Sequence, residues 1–73
     1  MKHKIRDFAH FQRIQKKDLA EAFDMSKSLF WHYETQKGAL VELIGDQLLL
    51  WVSGEVHAST DANKFKFAQP GSL

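Results

Sequence analysis

The chain has 73 residues, no cysteine, one proline and a formal net charge of +1. That length allows one small domain, and the missing Cys excludes disulfides and thiolate-held zinc or iron–sulfur sites. No apolar run reaches the roughly 18 residues of a membrane span, and no signal-peptide core follows the basic start, so a cytoplasmic location and no membrane partner are expected.

In chain order, Ile5, Phe8 and Ala9 share one helical side, with Phe11 beside them, which predicts a short helix over residues 4–13. In Lys16–Phe23, Leu19, Ala20 and Phe23 share a face. Asp18 suits the positive end of that second helix. The helix is expected to break at Asp24-Met25, because Asp tolerates the left-handed conformation better than most residues. Ser26 is a good N-cap for a third helix, Lys27–Tyr33, which is rich in aromatics. Thr35 is then a candidate N-cap for a fourth and longest helix. Its apolar positions, Ala39, Leu40, Leu43, Ile44, Leu48, Trp51 and Val52, follow a 3.6-residue period, and Val41, Leu49 and Leu50 broaden the stripe. This helix is expected to end between Gly54 and His57.

Residues 58–73 show no helical stripe and are rich in turn formers, closing on Pro70-Gly71. They read as a flexible tail, with Phe65 and Phe67 either pinning it to the body or serving as exposed anchors for a partner. The expected fold class is therefore all-α: a small homeodomain-like helix-turn-helix bundle of three helices with a longer fourth helix (1–57), and a tail (58–73).

The net charge hides an asymmetry. Residues 1–37 sum to +3 and residues 38–73 to −2; residues 1–17 alone reach +5, with Lys2, Lys4, Arg6, Arg13, Lys16 and Lys17 against Asp7. A basic front end is the footprint of contact with phosphates, or else a solubilising terminus. Residues 2–6 are also a candidate minor-groove arm.

Two short helices around Asp24-Met25 suggest a helix-turn-helix, a motif that needs a small residue where the helices cross and apolar residues that lock them. Ala20 is the small residue, and Leu19, Phe23, Met25, Phe30 and Tyr33 fall at the apolar positions. A generic helical hairpin satisfies the periodicity too. The stretch from Asp18 to Leu40 goes further. Asp18-Leu19-Ala20, Met25-Ser26-Lys27, Trp31-His32-Tyr33 and Lys37 with Ala39-Leu40 together resemble the DNA-binding segment of the tetracycline-repressor (TetR) family over about 23 residues without a gap. The chain departs from that pattern at Asp24, where the family prefers Gly, at Leu29, often Thr, and at Glu34, usually a buried Phe. Only the start of the family's large C-terminal domain fits after Leu40.

The resemblance implies that the third helix enters the major groove of double-stranded DNA, with Lys27, Ser28, Leu29, Trp31 and His32 on the facing surface. By the family pattern Trp31 and Tyr33 touch the sugar-phosphate backbone, and Lys27 and Lys37 pair with phosphates, Lys37 helped by the start of the fourth helix. Ser28 and His32 are the expected base readers, with Leu29 available for a thymine methyl. A core role for Trp31 and Tyr33 is the alternative.

Catalysis is not expected. His3, His10, His32 and His57 lack metal-ligand spacing, no Gly-rich phosphate loop is present, and Ser26 or Ser28 with His32 has no orienting third group. No metal and no cofactor are expected. The apolar excess of the fourth helix predicts a homodimer formed through it, against the rivals that it folds into its own core or that it marks the severed edge of a longer chain. The functional expectation is a sequence-specific DNA-binding repressor or regulator; the alternative is a helical protein-interaction module that keeps the architecture without DNA.

Overall fold

The computed structural model describes residues 1–64. A short strand β1 (Lys2–Lys4) leads directly into α1 (Ile5–Gln12), followed by α2 (Lys16–Ala22) and α3 (Lys27–Gln36). Three strands then follow, β2 (Leu40–Ile44), β3 (Gln47–Val52) and β4 (Glu55–Asp61), with a 3-10 turn at Ala62–Lys64. The strands form one antiparallel sheet in the order β1-β2-β3-β4, and the helices cover one of its faces.

The three short helices lie where the side-chain pattern puts them, with one change of length. α3 runs to Gln36, so Thr35 lies inside it, and its hydroxyl donates to the Trp31 carbonyl at 2.9 Å instead of capping a new helix. Phe11 leaves the core side of α1: it is 64% exposed and meets His3 edge-on, at 5.6 Å between ring centroids.

The all-α expectation fails after α3. No fourth helix exists among the described residues; the stretch assigned to it is the β2–β3 hairpin and the start of β4. Gly45-Asp46 joins β2 to β3, with Gly45 at φ +60, and Ser53-Gly54 joins β3 to β4, with φ +53 and +82. Positive φ at the first central residue alone, and at both, are the patterns of type II′ and type I′ turns, which match the twist of paired strands. A continuous helix through Gly45 and Gly54 would lose about 1 kcal/mol at each relative to Ala. Within the hairpin the burial alternates. Val41 pairs with Leu50 and Leu43 with Leu48; Val41, Leu48 and Leu50 are fully buried and Leu43 packs on them. The intervening residues Leu40, Ile44, Leu49 and Trp51 fall on the outer face, with Val56 beside Trp51. The apolar run is thus divided between two faces of a sheet, and the homodimer contact expected on a fourth helix has no such helix to form on.

The core joins α1 (Ile5, Phe8, Ala9), α2 (Leu19, Ala20), Phe23, α3 (Phe30) and the inner face of the sheet, with Ala39 and Ala62 at its margins. Two boundaries move as a result. Lys2–Lys4 is not a free arm for the minor groove, since it pairs with Leu40–Glu42. Ala58–Asp61 is not tail but the second half of β4, and the Ala62 amide donates to the Asp46 carbonyl at 2.7 Å. Phe65, Phe67 and Pro70-Gly71 lie outside the described residues.

The β1 edge is fastened by one polar cluster. Glu42 accepts from the Met1 ammonium and from the Trp51 indole N–H, each at 3.0 Å, and the Lys2 ammonium sits 3.7 Å from the centre of the Trp51 ring. The hydrogen bond from the Met1 ammonium, first, holds the Glu42 carboxyl below its ordinary value; burial opposes it, and the indole hydrogen bond and the Met1 and Lys2 charges add to the lowering. The other edge, β4, carries a bulge at His57 and carboxylates at both ends, devices that discourage edge-to-edge pairing.

Candidate nucleic-acid interface

The helix-turn-helix is set by four local features. α2 begins with a capping box in which the Gln15 amide donates to the Asp18 carboxylate at 3.2 Å. Ala20, almost fully buried, lets α3 pass close, and Phe23 stacks on Phe30 at 6.3 Å between ring centroids. α2 then stops because Asp24 takes the left-handed conformation at φ +56, which allows the Met25 amide to reach the Ala20 carbonyl at 2.9 Å. One residue later the Ser26 hydroxyl accepts from the Leu29 amide at 3.1 Å and starts α3. The position where the resembled family prefers Gly is thus a true left-handed position, filled by one of the few other residues that tolerates it.

α3 directs Phe30 into the core and leaves Lys27, Ser28, Leu29, Trp31 and His32 exposed. Five of the seven candidate residues are therefore brought together on the outer side of one helix. The other two are placed differently. Tyr33 is half-buried and packs toward the sheet, with its ring 4.8 Å from that of His57 on β4, and its carbonyl accepts from the amides of Lys37 and Ala39. This geometry packs Tyr33 against the core, apart from the five exposed residues. Lys37 is exposed as the C-cap of α3. Among the described residues no fourth helix begins beside it, so the helix N-terminus expected to help Lys37 hold a phosphate is not there.

Glu34 is the residue that strains the likeness to a buried Phe, and its environment accounts for it. Its side chain is 16% exposed and is paired with the Lys16 ammonium at 2.9 Å. A half-buried carboxylate is tolerable when paired, and this pair ties the start of α2 to the end of α3.

Two grooves flank Trp31. The first, about 690 Å³, runs between α2 and α3 and is edged by Lys16, Lys17 and Lys27. The second, about 500 Å³, lies where β1 meets α1 and is edged by Lys4, Arg6 and Asp7. Lys16, Trp31 and Glu34 line both. Lys4, Arg6, Lys16 and Lys17, which line these grooves, were not singled out from the sequence as candidate site residues. Their only signal was the charge of the front end, and it is the tertiary fold that gathers them beside Trp31. Thr35 was also missed, because it was assigned to a cap; it is exposed on α3 one turn beyond Trp31.

Among the described residues no group of His, Asp and Glu is arranged to hold a metal ion, and no helix is long and apolar enough to cross a membrane. No protein-family model matches the chain, and neither curated proteins nor solved structures give a match.

Proposed function

We propose that the chain is a sequence-specific double-stranded DNA-binding module, of the kind used by transcriptional regulators, that lays α3 in the major groove. The observation that carries this reading is the division of α3. Phe30 and Tyr33 hold it on the body, while Lys27, Ser28, Leu29, Trp31 and His32 face solvent within a helix-turn-helix closed at a left-handed Asp24. In this reading Lys16, Lys17 and Lys27 meet phosphates, and Ser28 and His32 meet base edges, with Leu29 against a thymine methyl.

The distribution of charge supports the same orientation. From residue 40 to residue 61 the sheet carries Glu42, Asp46, Glu55 and Asp61 and no Lys or Arg. The β2–β4 part of the sheet is a wing that repels phosphates, so a duplex is admitted from the side of the helices and β1. A cytoplasmic location belongs to this reading.

Fluorescence anisotropy with labelled duplexes, titrated with salt, tests it. Affinity is expected to fall steeply between 50 and 200 mM salt, as phosphate contacts predict. Absence of salt-dependent binding to any duplex sinks the proposal and leaves the protein-interaction alternative.

A further inference from the structure

The chain's two tryptophans are used in opposite ways. Trp51 is committed on both counts: its indole N–H donates to Glu42 and its ring face is covered by Lys2. Trp31 is 60% exposed, and among the described residues its indole makes no such hydrogen bond, cation or ring contact. A residue with so large an apolar face, left bare at the centre of the proposed interface, is available to a flat ligand.

Its surroundings specify which one. Trp31 is a ridge between two concave grooves, and each groove has its own cations: Lys17 and Lys27 on one side, Lys4 and Arg6, with Asp7 beside them, on the other. Lys16 serves both but is partly neutralised by Glu34. A nucleic-acid strand that crosses this ridge finds a cation for the phosphates on either side of the base above the indole. This pairing of an aromatic platform with a basic track is how unpaired strands are held.

The track is also one-sided. Lys27, Trp31 and Glu34 lie at i, i+4 and i+7 on one flank of α3, while Leu29 and Gln36 lie on the other and Tyr33 turns toward β4. The charged residues of β4 are Glu55 and Asp61. A helix in the major groove of a perfect duplex is straddled by two phosphate chains, whereas among the described residues the cations beside α3 gather on the Trp31 flank, with Lys37 at its C-cap.

We propose that Trp31 stacks an unpaired base, so that the preferred ligand is a duplex containing an unpaired nucleotide, with its backbone on the Lys17–Lys27 and Lys4–Arg6 sides. This rests on the DNA-binding reading and names the form of DNA the site takes.

The test compares a perfect duplex with the same duplex carrying one extra unpaired base, by anisotropy at fixed salt. Trp31 emission is followed in a Trp51→Phe background whose fold is checked by circular dichroism. The bulged duplex is expected to bind about 5- to 150-fold tighter, the range for stacking of one base, and to quench Trp31. Trp31→Ala is expected to bring the bulged duplex down to the affinity of the perfect one, and Trp31→Tyr to keep part of the preference. Equal affinity for the two duplexes, or a preference that survives Trp31→Ala, overturns the proposal and leaves duplex binding intact. No binding to either duplex ends both readings.

Discussion

Leu49 and Leu50 are neighbours in sequence and on opposite faces of β3, and that makes them a sharp test of the hairpin. Leu50 is fully buried between Val41 and Ala58, whereas Leu49 is partly exposed on the outer face between Glu42 and Ser59. Truncating a fully buried Leu to Ala removes its transfer free energy and leaves a cavity, at a cost of about 3 kcal/mol or more. At the outer-face position most of the cavity term is absent, and the cost falls to about 1 kcal/mol. A chain of this size has a total stability of roughly 4–11 kcal/mol. Leu50→Ala thus removes a large share of it, and Leu49→Ala a small one. At roughly 4–8 °C per kcal/mol for a domain of this length, Leu50→Ala is expected to lower Tm by about 12–24 °C and Leu49→Ala by about 4–8 °C. Thermal melts followed by circular dichroism, with urea titrations to check that m is unchanged, measure both. A helix over the same residues puts its apolar stripe on Leu48, Trp51 and Val52 and treats Leu49 and Leu50 as its broadened margins. Equal losses for the two variants, or a larger loss for Leu49→Ala, would refute the two-residue alternation.

Further outcomes follow from particular residues. Ser26→Ala removes the cap on α3 and is expected to cost about 1 kcal/mol, while Asp24→Val forces a β-branched residue into a left-handed position and is expected to cost about 1–2 kcal/mol; both are read as urea midpoints. Glu42 titrates below its ordinary value of 4.5 in the folded chain, chiefly because of the Met1 ammonium. Its contribution to stability is therefore full above that value and is lost as pH falls through the lowered folded value; Glu42→Gln is expected to flatten the stability profile on the acid side, and an unchanged profile counts against the cluster. Lys17→Ala and Lys27→Ala are each expected to reduce the slope of log affinity against log salt by about 1 without changing sequence preference, and an unchanged slope removes that lysine from the phosphate contacts.

The helical half of the fold was legible because its determinants are local. Ala20 at the crossing, Asp24 at the left-handed turn and Ser26 at the cap each act within a few residues of themselves, and the structure uses each in that way. The sheet was misread because Leu40–Val52 is apolar at almost every second and every third position, so two periods fit it. Turn chemistry decides between them. Gly45-Asp46 and Ser53-Gly54 are two-residue hairpin signals between runs of strand length, and a helix has no use for Gly at either place. β1 carried no signal of its own. Three residues of alternating Lys and His become a strand only because β2 offers its edge to them.

The site divides along the same line. Helical spacing alone places Lys27, Ser28, Trp31 and His32 on one surface, so α3 was legible as soon as its start was known. What spacing cannot show is which other elements stand beside that surface. Lys4 and Arg6 share a groove with Trp31 because β1 is held against β2, and Lys16 and Lys17 share the other because α2 packs on α3 through Leu19, Ala20, Phe23 and Phe30, with the Lys16–Glu34 pair at its edge. Glu34, which looks out of place at the position of a buried aromatic, is in this chain the partner of Lys16 beside an exposed indole. The misread sheet and the interface are therefore one problem. The hairpin that replaces the fourth helix is what anchors β1, which supplies Lys4 to the second groove and leads directly into Arg6 at the start of α1. On the DNA-binding reading, a variant that unseats β1 from the Glu42–Trp51 cluster is expected to weaken the second groove without touching α3, which separates the contribution of the sheet from that of α3 in the same anisotropy assay.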